Sequence, residues 1–87
     1  MINTKPVPYL RITKICELTG LSRWTVAAIR DGVREEIGRR YPVTVIVDDL
    51  VNYYAWLDYR MYKTRLLDKN LRKTVPPFRK EDWEDVA

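Results

Sequence analysis

The chain has no histidine, one cysteine and three glycines among its 87 residues. Lack of histidine removes both the commonest general base and the commonest metal ligand. The single cysteine, Cys16, excludes an intrachain disulfide, and nothing argues for an oxidising compartment. It sits among apolar residues on a helical stretch, where a buried structural thiol is expected rather than a nucleophile. Gly20, Gly32 and Gly38 are isolated from one another, so there is no glycine-rich phosphate loop. The carboxylates of Asp48 and Asp49, and of Glu81, Asp82, Glu84 and Asp85, are accounted for by helix capping and a solvated tail rather than by a cation. The sequence thus predicts no catalysis, no cofactor and no metal. Nor is there a long apolar run: the opening MINTKPVPYLRI is too polar and proline-rich for a signal peptide, and no transmembrane or lipidation motif follows. A cytoplasmic protein without a membrane partner is expected.

What the chain does have is positive charge, aromatic side chains and one tight helical turn. Its length suits one small domain plus an extension. A hydrophobic fraction of 46%, with three Trp, six Tyr and one Phe, is enough to fill such a core. The net charge is +4, and a surplus of that sign favours a polyanionic partner. Residues 1–47 carry eight Lys/Arg against four Asp/Glu, residues 48–73 six against four, and residues 74–87 two against four. The N-terminal half is therefore the part expected to meet a phosphate backbone.

Residues 1–9, with Pro6, Pro8 and Lys5, predict an extended arm. Ile12, Ile15 and Leu18 then recur at helical spacing, with Thr13 placed to cap the first turn. Gly20 suits a left-handed helix end, and Ser22 is a good N-cap for a second helix that turns Val26 and Ile29 inward. The stretch ITKICELTGLSRWTVAAIR thus has the spacing of a helix-turn-helix, whose second helix enters the major groove N-terminus first. Two endings are open for that helix. Asp31-Gly32 can break it, with Val33–Ile37 then making the first strand of a hairpin that turns at Gly38-Arg39-Arg40, or it can run on to Gly38; the longer form is preferred, since one glycine costs only about 1 kcal/mol in a helix interior. The β-branched run from Val43 to Val47 predicts a strand. Asp48 and Asp49 are expected to open a long helix over 48–73, with Leu50, Tyr54, Leu57 and Met61 on one stripe. At about 26 residues it would reach roughly 39 Å, longer than the globular part. Residues 74–87 form an acidic tail.

In the order of its elements, and in LTGLSRWTV, the loop containing GRRY and the step IVDDL, the chain resembles the excisionase (recombination directionality factor) group of phage and mobile-element proteins. That group is related in fold to the winged DNA-binding heads of MerR-type regulators. The resemblance runs from about Leu10 to Leu57. Trp24 departs from the small residue usual after the Ser-Arg pair, Gly38-Arg39 is similar to the usual wing turn, and the helix after Asp49 is longer than an excisionase needs. The resemblance implies a winged helix-turn-helix that bends DNA, or fills it cooperatively, beside a recombinase site.

The expected fold is mainly α: a helix-turn-helix domain over 10–47 with a minimal strand or wing, and a long C-terminal helix packing on that core and extending beyond it. The candidate DNA-binding residues are Ser22, Arg23, Trp24, Thr25, Ala27, Ala28, Arg30, Arg34, Arg39 and Arg40. The two alanines permit close approach and contact with a thymine methyl, while Arg23 or Arg30 can serve guanine or phosphate. Ser22 and Thr25 suit a phosphate at the helix start, Trp24 a sugar-phosphate wedge or packing near Tyr9, and Arg39-Arg40 a minor groove or flanking strand. One side of the aromatic helix must cover the core, and Tyr53, Trp56, Tyr59, Tyr62 and Leu66 are the candidates for a protein interface on the rest. The expected partners are double-stranded DNA, a phage integrase or recombinase and further copies on DNA, in the nucleoid of a bacterial host. The alternatives are a phage transcriptional regulator with the same contacts, or a phage assembly or packaging module.

Overall fold

The computed structural model describes residues 9–84. Most of the predicted arm (1–8) and the last tail residues, Asp85 among them, lie outside the described residues. The chain is mainly helical and carries a small three-stranded antiparallel sheet.

Strand β1 (Tyr9–Leu10) leads into helix α1 (Ile12–Thr19). Thr13 does not cap this helix; the cap position is Arg11, in extended backbone and without a side-chain hydrogen bond. The end of α1 is as expected. Gly20 takes φ 72° and donates its N–H to the Cys16 carbonyl at 2.8 Å, the left-handed closure a Cβ would oppose. After Leu21, Ser22 caps helix α2 (Arg23–Glu35), its Oγ accepting the Thr25 N–H at 3.3 Å. Of the two endings, α2 takes the longer course through Gly32, although it stops at Glu35 rather than at Gly38. The Glu36 carbonyl accepts the N–H groups of Arg39, Arg40 and Tyr41 and folds the following loop back on itself.

The strand predicted over Val43–Val47 is mostly a 3-10 turn. Only Ile46–Val47 (β2) is extended, after a turn over Val43–Val45. β-Branched side chains favour a pleated surface where a neighbour strand exists. Here only the last two residues have one, and the turn sends Val45 into the core while Val43 stays outside.

Asp48-Asp49 does not open a helix either. It forms the turn to strand β3 (Leu50–Asn52), with Asp48 at φ 54°, a conformation aspartate tolerates better than most residues. β3 lies between its neighbours, pairing Leu10 with Val51 on one side and Ile46 with Val51 on the other. Helix α3 (Tyr53–Leu66) starts only after Asn52, whose Oδ1 accepts the N–H groups of Tyr54 and Ala55. Instead of a helix over 48–73 there are 14 residues, about 21 Å at the usual rise. No glycine or proline stops α3. The Asp68 carboxylate accepts the N–H groups of Asn70 and Leu71 at 2.8 and 3.1 Å, turning the chain locally, and a 3-10 turn follows over Leu71–Thr74.

The core lies where α2 crosses α3 and the sheet: Ile15, Val26, Ile29, Val33, Val45, Val51, Ala55, Trp56 and Tyr59 are all buried. The C-terminal segment belongs to the domain, since Val75 and Phe78 pack on this core and Trp83 is buried. The aromatic set expected at a protein interface is largely interior. Trp56, Tyr59 and Leu66 are buried, and Tyr53 and Tyr62 are half-buried against the core. α3 has α2 on one side and the returning chain on another, so it needs a wider apolar surface than a helix with one neighbour. On the predicted stripe, Leu50 belongs to β3 and Met61 faces solvent.

Candidate nucleic-acid interface

The outward face of α2 is built from residues left over once Val26, Ile29 and Val33 turn inward. Arg23, Trp24, Thr25 and Ala28 are exposed there, with Ala27 and Arg30 half-buried. Ser22 and Thr25 share a contact between hydroxyls at 3.1 Å, and the first N–H groups of a helix have no intrahelical acceptor. Arg23 has no ion pair among the described residues, whereas Arg30 and Arg34 share one carboxylate, Asp31, at 3.2 and 3.6 Å. The Arg34 pair is exposed and contributes little, whereas the Arg30 side chain is only 25% exposed beside the same carboxylate. Three arginines against Asp31 over residues 23–34 leave the face cationic. Trp24 is 87% exposed, so it does not pack near Tyr9, whose hydroxyl instead donates to the Thr44 carbonyl at 2.6 Å. An open concavity of about 500 Å³ lies at this end of α2, lined by Ile12, Arg23, Trp24, Ala27 and Arg30.

Arg39 and Arg40 are not part of this surface. They follow the opposite end of α2, some 20 Å of helix away from Ser22. Arg39 is exposed, but Arg40 is not a loop-tip cation. Its Nε and Nη2 donate to the two carboxylate oxygens of Asp58 at 2.8 and 3.0 Å, and the Tyr41 hydroxyl donates to the same carboxylate at 2.6 Å. The side chains of Arg40 and Asp58 are only 8% and 2% exposed, and the guanidinium also lies near the Tyr41 and Tyr62 rings. Burial pushes the Tyr41 hydroxyl far up, with the Asp58 bond and charge adding to it. Burial lowers Arg40, but Asp58 outweighs that and holds it above its ordinary value. Arg40 is thus a fixed cation that neutralises a carboxylate inside the fold. The sequence carried a sign of this in Asp58, an acid within the aromatic run YYAWLDYRMY, where burial demands a partner.

A second internal pair joins Arg72 to Glu36, beyond the end of α2. The Arg72 hydrogen bond holds the Glu36 carboxyl below its usual range, against the opposing effect of burial. The hairpin between β2 and β3 also differs from the basic wing expected at Gly38-Arg39. Its tip is Asp48-Asp49, with Asp49 paired to Arg11 at 3.2 Å, and two carboxylates there repel phosphate. Cys16 is half-buried against the core. No helix among the described residues is long and apolar enough to cross a membrane. Compared with known proteins, the chain matches no family model, no curated sequence and no solved structure.

Proposed function

We propose that the chain binds double-stranded DNA, using α1, the Gly20–Ser22 turn and α2 as a helix-turn-helix. The carrying observation is that the N-terminal half of α2, capped by Ser22, presents Arg23, Trp24, Thr25 and Ala28 with none of the chain's described residues covering them. α2 would enter the major groove by that end. The acidic hairpin tip, the buried Arg40 and the remote Arg39 would contribute no base or phosphate contact to the same groove. In keeping with the resemblance to excisionases, the DNA-bound protein would act without catalysis of its own, directing excision beside a recombinase. The transcriptional reading shares every contact and differs only in its target. An assembly module has less support, because the aromatic helix that would carry it fills the core.

Titration of labelled duplexes over a salt series tests the binding. Log affinity should fall with log salt, and Arg23→Ala should cost about 1–3 kcal/mol if Arg23 reads a base. A flat salt response, or full binding by Arg23→Ala, refutes the assignment. A shift in the ratio of integration to excision, without altered transcription from a naked promoter, separates excision from regulation.

A further inference from the structure

We propose that the concavity at the start of α2 is a thymine-reading cleft, in which Trp24, Ala27 and Ile12 enclose the C5-methyl group of one thymine in the major groove. This rests on the duplex-binding reading above and names the base it would recognise. Of the three tryptophans, Trp56 and Trp83 are 0% and 7% exposed, whereas Trp24 is 87% exposed. An indole left in water has much apolar surface to gain from a ligand. The walls beside it are also apolar: Ile12, the first residue of α1, and Ala27, whose short side chain keeps the floor low. In the major groove the one apolar feature of the base edges is the thymine methyl, and the other bases present only donors and acceptors there.

The charges at the rim fit the same ligand. Arg23, Ala27 and Arg30 follow i, i+4, i+7 spacing and share one stripe of α2. Seven residues of helix rise about 10.5 Å, close to three base-pair steps at about 3.4 Å each. The apolar floor thus lies between two guanidinium groups placed to serve guanine or phosphate on either side. Arg30 is held by Asp31 through Nε and Nη2 at 3.3 and 3.2 Å, which orients the group while leaving N–H donors free.

The experiment selects duplexes from a randomised pool with the full chain. Each thymine of the enriched site is then replaced in turn by uracil, which lacks only the methyl. One replacement should weaken binding about fourfold, the factor that corresponds to one methyl removed from an apolar contact. Trp24→Ala should melt like the parent, because its side chain is exposed, and should bind duplex more weakly while losing that discrimination. Enrichment of a site that tolerates uracil at every thymine overturns the cleft but leaves duplex binding standing. So does an unchanged uracil penalty in Trp24→Ala, or a Trp24-dependent kink that ignores the methyl, which would make the indole a wedge. Failure to retain any duplex, or tighter binding of single strands, removes the duplex reading itself.

Discussion

Gly32 is the position where local helix preference and tertiary packing oppose each other most sharply. In the interior of a helix, Gly→Ala normally stabilises by about 0.5–1 kcal/mol. In this fold a Cβ on Gly32 would lie 2.1 Å from Tyr59 Cε2 and 2.3 Å from Tyr59 Cζ, where carbon atoms normally rest about 3.5–4.0 Å apart. The Tyr59 ring is 7% exposed, so it has little solvent to swing into. Either the ring leaves its rotamer or α2 and α3 separate by more than about 1 Å. Overpacking of this kind costs roughly 1–3 kcal/mol. Severe overlap belongs at the upper end of that range, so Gly32→Ala should lose about 1–2 kcal/mol net. In a domain of this size each kcal/mol lowers Tm by roughly 4–8 °C. Urea unfolding followed by circular dichroism, with a thermal melt beside it, measures both. The decisive comparison uses Tyr59→Leu, which removes the clashing edge of the ring. In that background Gly32→Ala should become neutral or stabilising. If Gly32→Ala alone raises stability, or the loss persists unchanged in the Tyr59→Leu background, the close approach of the two helices is not what keeps the glycine.

Removing the carboxylate from the buried Arg40–Asp58 pair should cost more. Asp58→Ala strands the Arg40 guanidinium and the Tyr41 hydroxyl in the interior, an expected loss of about 3–5 kcal/mol by denaturant titration; replacing Asp58 and Arg40 together by apolar residues should recover much of it. Acid should act through Glu36. Its folded pKa is depressed by Arg72, so its stabilisation is complete above the unfolded value of about 4.3 and is lost as pH falls through the lower folded value. Stability measured from pH 6 to pH 2 should therefore fall less steeply in Glu36→Gln than in the parent, and identical acid limbs would show that the pair contributes nothing.

Where the sequence was informative, short-range geometry determined the outcome. Gly20 ends α1 because its φ is positive, and Ser22 starts α2 because its oxygen reaches Thr25 N–H; both depend on a few neighbouring residues. The errors share a different cause. Asp48 and Asp49 resemble a helix opening in charge, but Asn52 is the residue whose side chain captures two free N–H groups, and the pairing of β2 with β3 places the aspartates in a turn. Likewise, nothing periodic announces that α3 ends at Leu66, because the Asp68 turn that follows needs no glycine or proline. On the candidate site, the exposed residues of α2 could be found by elimination once Val26 and Ile29 were placed inward. Asp58 in its aromatic run signals a buried partner, but not that Arg40, 18 positions away, is that partner. A paired and a free arginine look the same in a sequence.

That last distinction changes what the net charge of +4 means for DNA. The surplus counted over residues 1–47 includes Arg40, which is committed to Asp58, and Arg11 and Lys14, which face Asp49 and Glu17 at 3.2 and 3.6 Å. Among the described residues, the cations on the face that would meet a groove are Arg23, Arg30 and Arg34, aided by the start of α2. Residues 60–73 hold six Lys/Arg against one Asp, but they lie on the latter part of α3 and the turn after it, the region that Arg72 ties to Glu36 beyond the far end of α2. A duplex gripped only by the outward face of α2 should therefore release few counterions. With about three or four phosphates neutralised, the slope of log affinity against log salt should lie near −3. A slope of about −6 or steeper would require cations beyond this face, such as Arg11, Lys14 or those at the end of α3, to touch DNA as well, and the outward face of α2 would then not be the whole contact.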